Sequence, residues 1–259
     1  MNDPLQNHGI NFLSPTQINE FIANPARWLL WVSGVRDKEG IPAMWRGIAA
    51  DRAITKAAFF PRTDHREIIA LALDRFDQEM RECQEAGRPF DRIKAKKERE
   101  SLVGYTDTGA SFYKTLSMPV SHQQRISLEF EELPIPIIGY YDLLYDDCVR
   151  DIKTAARKPS KITDAISRQL SVYSAATKAP AFADYVVHNG KTQGVFTFPL
   201  VGADRYLVQV RRAALGMMTV LSHSSDIYEC CRLVYPDLDS WRWSQEEREA
   251  AKKIWEIPL

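Results

Sequence analysis

Apolar residues recur at helical spacing through most of the first 118 positions and switch to two-residue alternation near residue 124. Ser14 followed by Pro15 makes an N-cap and first-turn pair, predicting a helix over SPTQINEFI. Asn24-Pro25 breaks or redirects that helix, because a residue preceding proline disfavours the helical region. An alanine-rich helix is expected over 44–60, a longer one over 64–86, and a partly helical stretch over 91–117. RISLEFEEL, PIIGYYDLLY and CVRDIKT, between 125 and 154, are short runs rich in β-branched and aromatic residues and read as strands. Ile162, Ile166, Leu170 and Tyr173 fall on neighbouring turns of a helix over 162–178. Asn189-Gly190, between DYVVH and VFTFPL, signals a hairpin. A long helix at 203–222 and a tryptophan-rich tail near 236–255 follow. The pattern predicts an α+β fold in which helices flank a small central mixed sheet. One domain is expected over 1–259, with a mostly helical 1–118, a sheet and helix over 119–200, and a helical 201–259.

Of 259 residues, 45% are hydrophobic and 26% charged, which suits a chain that buries a substantial core and excludes global disorder. Lys and Arg number 34 and Asp and Glu also 34, so this is not a polycation held to nucleic acid by bulk charge. The neutral total conceals opposite regions. From Arg150 to Arg168 there are six basic residues and two acidic ones, and 92–99 has five against one. Glu129 to Asp147 carries six acidic residues and no basic ones. An acidic pocket beside basic rims is compatible with zero net charge. No apolar run approaches the roughly 18–20 residues of a membrane span. The opening MNDPLQNHGI has neither the basic nor the apolar region of a signal peptide. Cys83, Cys148, Cys230 and Cys231 lack metal-site spacing, so reduced thiols in a cytoplasmic protein are expected. No phosphate-binding loop, dinucleotide glycine fingerprint or HExxH motif is present, and His188, on a strand, reads as structural.

The chemistry concentrates in residues 137–154, read as two antiparallel strands joined at Asp146-Asp147. With Tyr145 facing Cys148, opposed positions sum to 293, which sets Asp142 across from Asp151. Alternation then places Tyr140, Asp142, Asp151 and Lys153 on one face. Tyr141, Leu143, Tyr145, Cys148 and Ile152 take the other face, where they can pack into a core. Two carboxylates at cross-strand distance repel unless something positive sits between them. A divalent cation does this, Lys153 adds a second positive charge, and oxygen ligands favour Mg²⁺ or Mn²⁺ over zinc. In isolation the same four residues also read as a solvated strand face. Gln169 and Tyr173 stack at i, i+4 on the following helix, a spacing that a plain amphipathic helix with a buried tyrosine also gives.

In order and spacing, Gly139-Tyr140-Tyr141-Asp142, Asp151-Ile152-Lys153-Thr154 and the pair Gln169, Tyr173 match a G-x-x-D, D-x-K-T, Q-x-x-x-Y series. That series resembles the RecB-like branch of the PD-(D/E)XK nuclease superfamily. SPTQINEFIANPARW is similar to the branch's opening helix and Cys-Pro turn, and the resemblance runs over 12–178 and, more weakly, 235–255. It implies a restriction-endonuclease-like core that hydrolyses DNA phosphodiesters with one or two Mg²⁺ or Mn²⁺ ions. By the resemblance, Asp142, Asp151 and the backbone carbonyl of Ile152 are metal ligands. Lys153 orients or deprotonates the attacking water and offsets charge on the phosphate. Gln169 and Tyr173 hold the nucleophile and contact phosphate. Arg157, Lys158 and Lys161, just downstream, are either a solvated loop or contacts to the DNA backbone. Glu129 sits where many relatives carry a glutamate, and no direct metal role is expected of it.

Two positions depart from the pattern. Relatives commonly place a His four residues after a Gly on an early helix; here Gly47 leads to Asp51. A carboxylate suits Mg²⁺ at least as well as imidazole, and some phage exonucleases of the superfamily use a helical acid there. An exposed helix aspartate is the plainer reading. Several relatives also join the two ends of the domain with an iron–sulfur cluster on four cysteines. The first of those positions is Asn24 here, and YPDLDSWRWSQEEREAAKKIW contains no cysteine, so no cluster is expected. Trp241, Trp243 and Trp255 are expected to pack that end by aromatic burial. The absence of a motor motif, with the resemblance, implies a stand-alone DNA exonuclease of phage or mobile-element type for end processing or recombination. Its partners would be DNA and a recombination, annealing or motor protein, with no membrane and with oligomers possible. A CRISPR-adaptation-like trimming nuclease and a non-catalytic DNA-binding module are the alternatives.

Overall fold

Proline sets the start of four helices: α1 (Pro4–Asn7), α2 (Pro15–Ala23), α3 (Pro25–Val32) and α4 (Pro42–Phe59). It lacks the N–H that a first turn leaves unpaired, and its fixed φ suits helix entry. The computed structural model describes residues 3–36 and 39–257, so the first two residues of the opening lie outside the described ones. Ser14 and Gln17 close a reciprocal capping box on α2 (3.1 and 3.2 Å). Asn24 ends α2 and caps α3, its Oδ1 accepting from Arg27 N–H at 3.1 Å. α4 turns Ala49, Ala50, Ala53, Ala57 and Ala58 inward, and these small side chains let α5 (His65–Glu85) and α6 (Arg92–Tyr113) close onto it.

Five strands form the central mixed sheet, in the order β1 (Ser121–His122), β4 (Leu143–Leu144), β5 (Val149–Ala155), β6 (Ala181–His188) and β7 (Gln193–Pro199). All neighbours are antiparallel except β5 and β6, which are joined through α7 (Asp164–Thr177). β2 (Arg125–Leu128) and β3 (Ile137–Tyr140) pair with each other outside it. The β6–β7 hairpin predicted at Asn189-Gly190 is present, with a four-residue loop. Asn189 Oδ1 accepts from the N–H groups of Lys191 and Thr192 (2.9 and 2.8 Å), and His188 pairs with Gln193.

Alternation on the strands divides the interior. Val149, Ala181, Ala183, Tyr185 and Val187 enter a core shared with α2, α3, α7 and α8 (Ala203–Leu221). Leu143, Tyr145, Ile152 and Val186 enter a second core with α4, α5 and α6. His188 is a packing residue, as expected. Its ring lies where a side chain on Gly104 would stand, and its Nδ1 is 3.4 Å from Thr108 Oγ1.

The last two helices, α9 (Ile227–Cys231) and α10 (Gln245–Ile254), return to α3. Glu247 on α10 is fully buried and accepts from Arg27 Nε (2.8 Å), Trp31 Nε1 (2.9 Å) and Ser244 N–H (3.0 Å). Trp243 is buried against Ala26 and Leu30, and Trp255 donates to the carbonyls of Cys231 and Val234. Trp241 corrects the expectation for this end: it is 83% exposed. Of the Trp-Arg-Trp run only one ring faces inward, and the Arg242 guanidinium lies 5.2 Å from the outward one. All four cysteines are buried thiols without a disulfide, and no described helix is long and apolar enough to cross a membrane.

Candidate active site

The ladder between β4 and β5 keeps the predicted register, Leu143 opposite Arg150 and Leu144 opposite Val149, and stops at Asp142. The uninterrupted hairpin expected over 137–154 is therefore corrected. β3 leaves the sheet to pair with β2, and Tyr140, opposite Arg125, is 55% exposed rather than beside Asp142, Asp151 and Lys153. The cause is a side chain that competes with the backbone. Asp142 Oδ2 accepts the Ile152 N–H at 2.5 Å, taking a donor that the next rung of the ladder would have engaged. Tyr141 turns inward, with its hydroxyl 2.8 Å from Ser121 Oγ.

The opening in the sheet brings together carboxylates from three elements. Asp142 comes from the β3–β4 junction, Asp151 from β5, and Asp51 from the middle of α4. Gln123, between β1 and β2, links two of them: its Nε2 donates to Asp51 Oδ2 (2.8 Å) and to Asp142 Oδ1 (3.3 Å). Thr55, one turn on from Asp51, donates to Asp51 Oδ1 at 3.3 Å. Lys153 Nζ lies 2.7 Å from the buried Asp151 Oδ2, an ion pair that is the nearest positive charge in the site. Gln169 Nε2 donates to Tyr173 Oη (2.6 Å) and reaches Asp151 Oδ1 at 3.4 Å. Gly139 is required here, because a Cβ on it would stand 2.7 Å from Tyr173 Cε1.

Like charges at close quarters, away from bulk water, favour neutral forms. Burial, with repulsion from Asp151 opposing the pull of Lys153, raises Asp51 to about 7. Burial, then the charges of Asp51 and Asp151, holds Asp142 well above the usual carboxylate range. Burial also raises Asp151, against the pull of Lys153. For Lys153, desolvation pulls the pKa down, but the attraction of Asp151 and Asp142 prevails and keeps the ammonium charged. Asp51 and Asp142 nonetheless keep partial solvent contact, whereas Asp151 is 1% exposed. Beside Asp51 and Gln123 opens a cavity of about 520 Å³ lined also by Arg52, Lys56, Arg75 and Phe60.

Three acids pushed toward their neutral forms by burial and mutual repulsion beside a single lysine form an oxygen-donor set with the chemistry of a hard divalent-cation site. As they stand, the carboxylates are not drawn around one point. Among the described residues no three His, Cys, Asp or Glu are placed to hold an ion together, and the Gln123 amide lies between two of the carboxylates.

Of the residues expected from sequence, Asp51, Asp142, Asp151, Lys153, Gln169 and Tyr173 come together. Ile152 takes part through its N–H. Arg157, Lys158 and Lys161 are exposed on the β5–α7 connection, with Lys158 Nζ 4.5 Å from the Phe196 ring centre. Glu129 is exposed just after β2. Thr55 was missed, though its i+4 spacing from Asp51 was a signal that could have found it. Gln123 carried no local signal.

The chain belongs to the PD-(D/E)XK nuclease superfamily, whose sequence profile matches residues 12–254. Its α+β architecture is the restriction-endonuclease-like fold of that superfamily, whose members generally use divalent metal ions. A solved structure from Eubacterium rectale, titled "Putative exonuclease", superposes with a TM-score of 0.51 at 14% identity over 90% of this chain and 86% of that one. The crystal structure of SSO0001 aligns at 14% identity and a TM-score of 0.31 over 42% of this chain, which spans 54% of that protein. No curated protein matches the sequence.

Proposed function

We propose that the chain is a divalent-metal-dependent deoxyribonuclease that degrades DNA from its ends, an exonuclease for end processing or recombination of phage or mobile-element type. The observation that carries the reading is that Asp51, Asp142 and Asp151, from three separate elements, open onto one site beside Lys153, which pairs with Asp151. The Eubacterium rectale protein, titled as an exonuclease, supports action on ends. Asp51, Asp142, Asp151 and the Ile152 carbonyl would hold one or two Mg²⁺ or Mn²⁺ ions. A bound ion supplies Lewis acidity and a water of lowered pKa.

The chain's own groups do the rest. Asp151 fixes the Lys153 ammonium at the centre, where it orients the attacking water and offsets charge on the phosphate. Gln169 and Tyr173, bonded to each other, hold the nucleophile side and contact phosphate. Arg157, Lys158 and Lys161 follow the backbone on one side, and Arg52, Lys56 and Arg75 in the adjoining cavity take a neighbouring phosphate on the other.

The test is Mg²⁺- or Mn²⁺-dependent release of label from end-labelled duplex, with Asp151→Ala and Lys153→Ala alongside. Wild type is expected to degrade linear DNA and spare closed circles, and both variants to be inactive. Rapid cutting of circles would sink the exonuclease reading, and variants equal to wild type would sink the site.

A further inference from the structure

Gln123 is exposed, on the short connection between β1 and β2. Its backbone sits at φ 48°, the left-handed region that residues other than glycine enter at a cost. Two contacts hold it there. Its N–H donates to the Asp142 carbonyl at 3.1 Å, and its Nε2 is shared between Asp51 Oδ2 and Asp142 Oδ1 at 2.8 and 3.3 Å. An amide N–H₂ offers two donors with partial positive charge, so it satisfies two acceptors without cancelling either charge. A free glutamine side chain gives up considerable rotamer freedom when fixed this way, and only the carboxylates reward it.

We propose that Gln123 is a positioning residue that stands in for the cation: its amide bridges Asp51 and Asp142 in the metal-free chain and is displaced when a divalent ion takes both carboxylates. The inference rests on the metal-dependent reading of the site given above. It follows that Gln123 sets the metal affinity by competition. Removing the amide leaves the two carboxylates facing each other, which weakens the metal-free fold and strengthens their hold on an ion.

The experiment measures Mn²⁺ binding to the full chain without DNA, by calorimetry or by the EPR signal of free Mn²⁺, together with melting temperature. Wild type is compared with Gln123→Met, which keeps the length but not the donors, and Gln123→Glu, which replaces the donors by a third acid. Gln123→Met is expected to bind Mn²⁺ about three- to tenfold tighter, the worth of the hydrogen bonds it lacks. It should melt below wild type without metal and level with it at saturating Mn²⁺. Gln123→Glu should show both effects more strongly. Equal or weaker binding by Gln123→Met, or a melting difference that saturating Mn²⁺ does not close, overturns the stand-in role. A wild-type chain that binds no Mn²⁺ overturns the metal-dependent reading itself, a result separable from the first.

Discussion

Two buried aspartates on adjacent strands, Asp151 on β5 and Asp184 on β6, have opposite surroundings. Asp184 is fully buried and accepts from Tyr113 Oη (2.6 Å), Thr197 Oγ1 (2.5 Å) and Arg150 Nη1 (2.9 and 3.2 Å). Both its oxygens are filled. Asp151 has one long hydrogen bond from Gln169, one ion pair with Lys153, and acids from α4 and the β3–β4 junction close by. A buried polar group costs stability unless its partners are complete. The complete set around Asp184 ties β6 to β5, β7 and α6. The incomplete set around Asp151 costs stability and, on the proposed reading, leaves an acceptor open for the metal.

The largest effect should come from neutralising the incomplete member. Asp151→Asn is expected to lower kcat roughly a thousandfold or more, since metal catalysis contributes several kcal/mol. Its metal-free melting temperature should move less than that of Asp184→Asn, because relief of desolvation and of repulsion among the acids offsets the lost Lys153 ion pair. Asp184→Asn should do the reverse. Leaving Arg150 without its carboxylate is expected to cost on the order of 3 kcal/mol in urea unfolding, with kcat of the folded protein within a few-fold of wild type. A stable, inactive Asp184→Asn would erase the contrast.

pH sharpens the comparison with a smaller effect. Asp51 is raised from 3.8 to about 7, so the folded chain holds this proton more tightly than the unfolded chain. Its contribution therefore favours folding below its ordinary pKa and is lost as pH climbs from about 4 to about 7. Metal-free wild type should lose melting temperature over that interval. Asp51→Asn should flatten part of the slope, and a slope unchanged in the variant would show that Asp51 is not its source. Smallest is the basic connection after β5. Lys158→Ala is expected to weaken DNA binding without changing kcat and to reduce the salt slope of log K by about 0.7–0.9. An unchanged slope would leave Lys158 as a partner of Phe196 alone.

What the sequence made legible follows period and order. Placing the turn at Asp146-Asp147 led to the register between 143–144 and 149–150, and two-residue alternation separated Asp151 from Ile152, because a sheet face repeats every second residue. It could not show that the ladder ends at Asp142, since that depends on one side chain outcompeting a backbone carbonyl for the Ile152 N–H. Asp51 was reached by resemblance, as one helix aspartate looks like another until α4 is laid against β5. Gln123 was beyond reach: three dimensions alone bring a residue of a short connection between two acids 72 and 19 positions away. Trp241 was misread because aromatic composition does not say which side of a turn is inside.

The Arg27–Glu247 contact joins positions 220 residues apart. On a ribosome adding roughly 5–20 residues per second, Glu247 arrives on the order of ten to forty seconds after Arg27. Throughout that interval Trp31 lacks its acceptor and Arg27 has Glu20 alone (3.0 Å), and the face of α3 that Trp243 covers is exposed to chaperones and proteases. Emergence of α10 is thus the step that seals α3, and pulse-labelled nascent chains should lose protease sensitivity in α3 only after α10 has left the exit tunnel.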